Sequence, residues 1–223
     1  MQLIFLGYPG SGKGTQASLL SDHYNIPKVS TGDILREAVA KATDLGMRAK
    51  LFMDSGELVP DEVMIGLVGE RLSAPDTTGG YILDGFPRTL HQAQELDFLL
   101  AHELARKLTA VISLEIEKKK VIERLTSRRV CKQCSRVYNL QTDPPPMRVG
   151  AMACQACGGE VIQRSDDSLE TVLHRMDVYE EATRPLKNYY GAQGKLIQID
   201  GSLSIDKVHQ EIESKLALVL MES

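Results

Sequence analysis

The stretch Gly7–Thr15, GYPGSGKGT, follows a short apolar run, Leu3-Ile4-Phe5-Leu6, and leads into a helical pattern. The general phosphate-binding loop reads G-x-x-x-x-G-K-[ST], and its hydroxyl reaches the magnesium of a nucleotide. Here the glycines and Lys13 are kept, but Gly14 stands where the hydroxyl belongs and Thr15 comes one place later. Leu3–Leu6 reads as a strand buried on both faces. The loop glycines leave backbone N–H groups unshielded, as wrapping an anion requires. Strand, loop and helix start together hold a polyphosphate, and the helix dipole adds attraction.

Further apolar runs recur at Tyr81–Leu83, Ala110–Leu114 and Leu196–Ile199, with Pro27–Ser30 a weaker one. Helical patterns lie between them, at Glu62–Leu72, Thr89–Ala101, Lys118–Arg128 and Ile205–Leu220. This alternation predicts an α/β fold with a doubly wound, parallel, five-stranded sheet. Two stretches break the pattern and read as insertions into one core. Residues 31–59 carry two short helical patterns with no strand between, the second stopping near Gly56. Residues 129–163 carry Pro144-Pro145-Pro146 and all four cysteines.

Length allows one α/β domain with such insertions. Lys+Arg 26 against Asp+Glu 30 is mildly acidic, which argues against a nucleic-acid partner. A run of about 18 apolar residues, which a membrane span needs, is not found, and the start does not resemble a signal peptide. A cytoplasmic address is expected, where cysteines serve as metal ligands or free thiols. The pattern Cys131-x2-Cys134-x19-Cys154-x2-Cys157 matches a structural zinc site of four thiolates. An insert with so few large apolar side chains needs such a staple. Iron in a four-thiolate site satisfies the same pattern. Either way, a closed four-ligand shell holds shape and does no chemistry.

Three further motifs complete the pattern: Ser30-Thr31-Gly32-Asp33 with Arg36, Asp84-Gly85-Phe86-Pro87-Arg88 with Gln92, and Arg164 with Asp166-Asp167 and Arg175. With GYPGSGKGT they closely resemble the adenylate kinases, specifically the long bacterial type whose lid binds zinc. The resemblance covers essentially the whole chain. It implies a core of residues 1–29, 60–127 and 165–223, an AMP-binding insert at 30–59 and a zinc-binding lid at 128–164. The implied reaction is reversible transfer of the γ-phosphoryl group of MgATP to AMP, giving two ADP. Partners would be ATP, AMP and ADP alone, with no nucleic acid and no membrane, and the chain a monomer.

Phosphoryl transfer is mostly positioning and charge stabilisation, so an acidic protein should concentrate arginine at this site. Planar guanidinium meets phosphate oxygens in two-pronged fashion, which lysine does not. By resemblance Gly10, Ser11, Gly12, Lys13, Gly14 and Thr15 hold ATP phosphates with Arg124 and Arg128, and Lys13 meets the β- and γ-phosphates. Arg36 and Arg88 grip the AMP phosphate, Arg164 and Arg175 reach in with the lid, and Asp84 orients the waters of magnesium. Gly14 is read as allowing close approach of the second nucleotide. Thr31, Glu57, Leu58, Val59, Gly85, Phe86, Pro87 and Gln92 fall to AMP, and Val137, Tyr138 and Gln198 to the ATP base. Tyr138 serves equally well as lid core, and Asp33 reads as a helix cap. Ser135 stands where glycine commonly follows the second cysteine, and Asn139 where histidine is usual. Thr89 and Gln92 favour AMP over UMP or CMP, while a GTP donor fits a base contacted mainly by backbone. A nucleotide switch needs to hold only one nucleotide, so a second arginine-lined phosphate site argues against it.

Overall fold

A computed structural model describes residues 1–148 and 150–221. β1 (Gln2–Gly7) passes through the glycine loop into α1 (Lys13–Tyr24), and β2 (Lys28–Ser30) follows. Next come α2 (Thr31–Ala40), α3 (Asp44–Ser55), α4 (Asp61–Leu72), β3 (Tyr81–Asp84), α5 (Leu90–Phe98), β4 (Ala110–Glu115) and α6 (Lys118–Thr126). The cysteine segment holds the short strands β5 (Arg128–Cys131), β6 (Val137–Asn139), β7 (Met147–Arg148), β8 (Ala151–Met152) and β9 (Val161–Ile162). α7 (Leu169–Val178), α8 (Leu186–Ala192), β10 (Leu196–Asp200) and α9 (Ile205–Met221) follow. Among the described residues no helix is long and apolar enough to cross a membrane.

The five expected strands form one parallel sheet in the order β10-β4-β1-β3-β2. Side chains alternate across a strand, so Ile4, Leu6, Leu83 and Val111 enter one core cluster and Leu3, Phe5, Ile82 and Ile112 the other. That is why these runs are continuously apolar: both faces are covered. β1 lies between β3 and β4, so the connections leave it in opposite directions. In open α/β sheets such a switch point, at the carboxyl ends of the strands, is where ligands bind.

Three local expectations need correction. The helix expected over Lys118–Arg128 stops at Thr126, with Ser127 at its end. Arg128 instead opens β5, pairing with Asn139, and Val130 pairs with Ile162; these sheet partners are distant in sequence, and no local periodicity announces them. The cap of α2 is Ser30, whose Oγ accepts the Asp33 N–H at 3.3 Å, so Asp33 is the third helical residue and not the cap. Thr89 caps α5, which gives way to a π-helical turn over Leu99–Glu103.

The cysteine segment has its own three-stranded sheet, β6-β5-β9, and the β7-β8 pair. Its buried core is Cys131, Tyr138, Cys154 and Val161, too little apolar surface to fold such a piece unaided. Ser135 takes φ 60°, a left-handed conformation that glycine adopts freely and serine does not.

Candidate active site

A cavity of about 1310 Å³ opens from the glycine loop at the switch point. Cavities for one small ligand run about 300–1,000 Å³, so this one has room for two nucleotides. Gly12, at φ 106°, begins α1 without a side-chain cap, leaving the first helical N–H groups free. Lys13 Nζ donates to the carbonyls of Gly7 at 2.7 Å and Tyr8 at 2.8 Å, so the loop folds round its own ammonium. Burial pushes this amine down to about 8; the Asp84 carboxylate opposes that shift, and Arg88, Arg175 and Arg128 reinforce it. Ser11 Oγ is buried without a hydrogen-bond partner.

Gly14 has a close neighbour within the protein. A Cβ at that position would lie 3.2 Å from Asp84 Oδ2. The close neighbour is therefore a carboxylate of the protein itself. Asp84 ends β3, in register with Phe5 on one side and Ser30 on the other.

At the far end of the cavity, Thr31 Oγ1 donates to the Gly85 carbonyl at 3.0 Å, and Arg88 Nε donates to the same oxygen at 2.7 Å. The Arg88 carbonyl accepts from Thr183 Oγ1 at 2.8 Å, and its N–H donates to Gln92 Oε1 at 2.7 Å. Gln92 is buried, and its Nε2 donates to Asp61 Oδ1 at 2.7 Å. Burial, then the repulsion of Arg175, pushes Arg88 down to about 10. Arg36 pairs with Asp33. Glu57, Leu58 and Val59 line the wall, and the Glu57 carboxylate is engaged by His174 Nε2 at 2.6 Å. Gly85 and Pro87 line the cavity, but Phe86 does not. At 1 % exposure Phe86 belongs to the sheet core, and its part is support from beneath.

Between the two ends, Arg128 holds Asp167 with Nε at 2.8 Å and Nη2 at 2.5 Å. Arg175 Nη1 lies 2.8 Å from Asp166 Oδ2. Arg124 Nη1 donates to the carbonyls of Gly201 at 3.0 Å and Ser11 at 3.3 Å, bridging the glycine loop to the turn after β10. Arg164 differs: its Nε is buried with no partner. Burial, then Arg128 and Arg36, pushes it down to about 10 against the pull of Asp166 and Asp167. All six arginines singled out in the sequence line this cavity, as do Lys13, Thr15 and Asp84.

The expected ATP-base residues divide. Val137 is exposed at the cavity margin. Tyr138 belongs to the core of the cysteine segment and also lines the cavity: it is 2 % exposed, donates to Cys154 Sγ at 3.2 Å and accepts the Gln155 N–H at 2.8 Å. Gln198 is exposed on edge strand β10 and does not line the cavity. Past the carboxyl end of that strand the turn Gly201–Ser204 lines the cavity, followed by Ile205 and Val208 of α9. This turn, Asp61 and Thr183 escaped the sequence reading; Asp61, after Pro60, reads only as an acidic first-turn residue of a helix.

The four cysteine sulfurs lie within 4.8 Å of one another, with Cys131–Cys157 and Cys134–Cys154 at 3.5 Å. A tetrahedral ion with bonds of about 2.3 Å sets its sulfurs about 3.8 Å apart. The free thiols therefore fit one metal ion.

A family model described as adenylate kinase matches residues 5–195. The chain belongs to the adenylate kinase family. It is 51% identical over 216 residues to an adenylate kinase of Carboxydothermus hydrogenoformans, covering 97% of this chain and 99% of that one. It is 53% identical over 216 residues to the adenylate kinase of Archaeoglobus fulgidus, covering 97% and 98%. With an adenylate kinase of Desulfitobacterium hafniense it shares 49% over 212 residues, covering 95% and 96%. A matched adenylate kinase thus spans every piece described above, the cysteine segment included.

Proposed function

We propose that this chain transfers the γ-phosphoryl group of MgATP reversibly to AMP, giving two ADP. The observation that carries this is Arg164, half-buried with its buried Nε unpartnered, among the cations that line a cavity large enough for two nucleotides. A buried donor left unpaired costs about 1–3 kcal/mol, and an anion relieves that cost. One nucleotide would not need cations at both ends and in the middle.

In this reading the N–H groups of Gly10–Thr15, with Lys13, hold the β- and γ-phosphates, and Arg124 and Arg128 flank them. Arg36 and Arg88 take the AMP phosphate, whose oxygen attacks the γ-phosphorus while the bond to the β,γ-bridging oxygen breaks. Arg164 and Arg175 stabilise the charge spread over the transferring group. Magnesium, arriving with ATP, supplies further charge neutralisation. Asp84, beside Gly14 and facing Lys13, suits its hydrated form, because this ion keeps several waters. Gln92, Thr31 and the 57–59 backbone take the acceptor base, and the turn at Gly201–Ser204 replaces Gln198 at the donor base.

The cysteine cluster is proposed as a structural zinc site, and residues 30–59 and 128–164 as the AMP-binding insert and the lid. Closing the lid over both nucleotides excludes water, which would otherwise take the phosphoryl group. Slower hydrogen exchange across residues 129–163 on adding a mimic of two adenosines joined through a phosphate chain is the expected sign. We also propose a cytoplasmic monomer, to be checked by sedimentation and by fractionation of cells. The reaction is tested with ATP and each monophosphate in a coupled assay. AMP should be strongly preferred, and equal turnover with CMP would overturn the reading.

A further inference from the structure

We propose that Asp61 fixes which way the Gln92 side-chain amide faces, and thereby makes the acceptor site select a 6-aminopurine over a 6-oxopurine. This rests on the reading of that end of the cavity as the AMP site.

The two base classes differ by reversal of one edge. On adenine the ring N1 accepts and the 6-amino group donates; on a 6-oxopurine N1–H donates and the 6-oxygen accepts. A side-chain amide carries both kinds of group, and turning it over exchanges them. A freely turning glutamine would therefore serve both bases.

Gln92 is not free to turn. Its Oε1 accepts the Arg88 N–H at 2.7 Å and its Nε2 donates to Asp61 Oδ1 at 2.7 Å. Turned over, the NH2 would face a backbone N–H and the carbonyl would face a carboxylate, two repulsive contacts. An ionised carboxylate only accepts, so Asp61 has no second arrangement to offer. It is itself held: Oδ2 accepts from Thr89 Oγ1 at 2.7 Å and lies 3.3 Å from His91 Nδ1, while Thr89 Oγ1 accepts the Gln92 N–H at 3.1 Å. Gln92 is 1 % exposed, which leaves little water to compensate a reversed amide. One lone pair of Oε1 and one N–H of Nε2 stay unused, and Gln92 lines the cavity. Those two groups match the 6-amino and N1 positions of adenine. Asp61 acts through Gln92, so it is a positioning residue.

The test compares kcat/KM for AMP and for IMP, with ATP as donor, in the wild type, Asp61→Asn, Gln92→Ala and the double variant. A ratio of two substrates on one enzyme does not depend on how much of the sample is folded. Asparagine offers either a donor or an acceptor and carries no charge. The AMP-to-IMP ratio should therefore fall about tenfold or more, chiefly through KM for AMP, because a charge-assisted hydrogen bond is lost. With Gln92→Ala in place, adding Asp61→Asn should leave the ratio where it was. An unchanged ratio in Asp61→Asn, a further fall in the double variant, or a wild type indifferent between AMP and IMP would each overturn the proposal. A wild type that phosphorylates neither would instead overturn the AMP reading on which it rests.

Discussion

Replacing Arg164 with methionine should stabilise the empty protein and weaken the loaded one. The guanidinium is pushed well below its usual range, to about 10, by burial first and then by Arg128 and Arg36. At about 1.36 kcal/mol per tenfold change, keeping it charged costs at most roughly 3 kcal/mol. Its partly exposed edge is screened by water, which leaves about 1–2 kcal/mol to be recovered. Methionine keeps the hydrocarbon stem and removes the unpaired donor. In a chain of this size 1 kcal/mol moves the melting point by about 2–4 °C, so a rise of about 2–8 °C is expected. Losing one partner of a buried, hydrogen-bonded charge pair costs about 2–5 kcal/mol. Affinity for the two-adenosine mimic should accordingly fall by about 100-fold. Scanning calorimetry with and without the mimic reads both effects on one sample. A lower melting point for the empty variant would show that Arg164 is a structural ion-pair partner, and would refute the argument.

Purified protein should carry about one metal ion per chain, with zinc expected over iron by elemental analysis. Cys154→Ser should weaken that ion and lower the melting point while phosphoryl transfer stays measurable in the cold; identical melting with and without metal would sink the structural role. Arg88→Lys keeps a charge but loses the two-pronged grip, so turnover with AMP should fall about 100-fold or more, and full activity would place Arg88 outside the site. Lys13, at about 8 in the empty protein, should be raised by bound phosphates. Nucleotide affinity should therefore be greatest below about pH 8 and fall as pH rises through it, with a proton taken up on binding near pH 8.5. Titration calorimetry in two buffers of different ionisation heat checks this, and identical heats would exclude it.

The fold was legible because buried parallel strands must be apolar on both faces: Leu3–Leu6 and Ala110–Leu114 admit no other reading beside a glycine loop. The cysteines announced their own cluster in the same way, through a chemical need. What stayed hidden depends on partners far away in the chain. Arg128 reads as the last turn of a helix until β6 and β9 are there to pair with its strand. Phe86 and Pro87 are neighbours in one motif, yet only Pro87 lines the cavity. The resemblance assigns Gln198 to the donor base, whereas on β10 it is exposed and does not line the cavity. Asp61 carries no local signal at all, since a first-turn acid is ordinary and its meaning lies in a glutamine on another helix.

The 3.2 Å between a Cβ at position 14 and Asp84 Oδ2 also bears on how such loops change over generations. At that distance a side chain at position 14 fits only if the Asp84 carboxylate gives by a few tenths of an ångström. Loops that carry a hydroxyl after the lysine use it on magnesium together with such an aspartate. A serine at position 14 is therefore expected to need Asp84 re-aimed at the same time, which couples the two positions whenever either one changes.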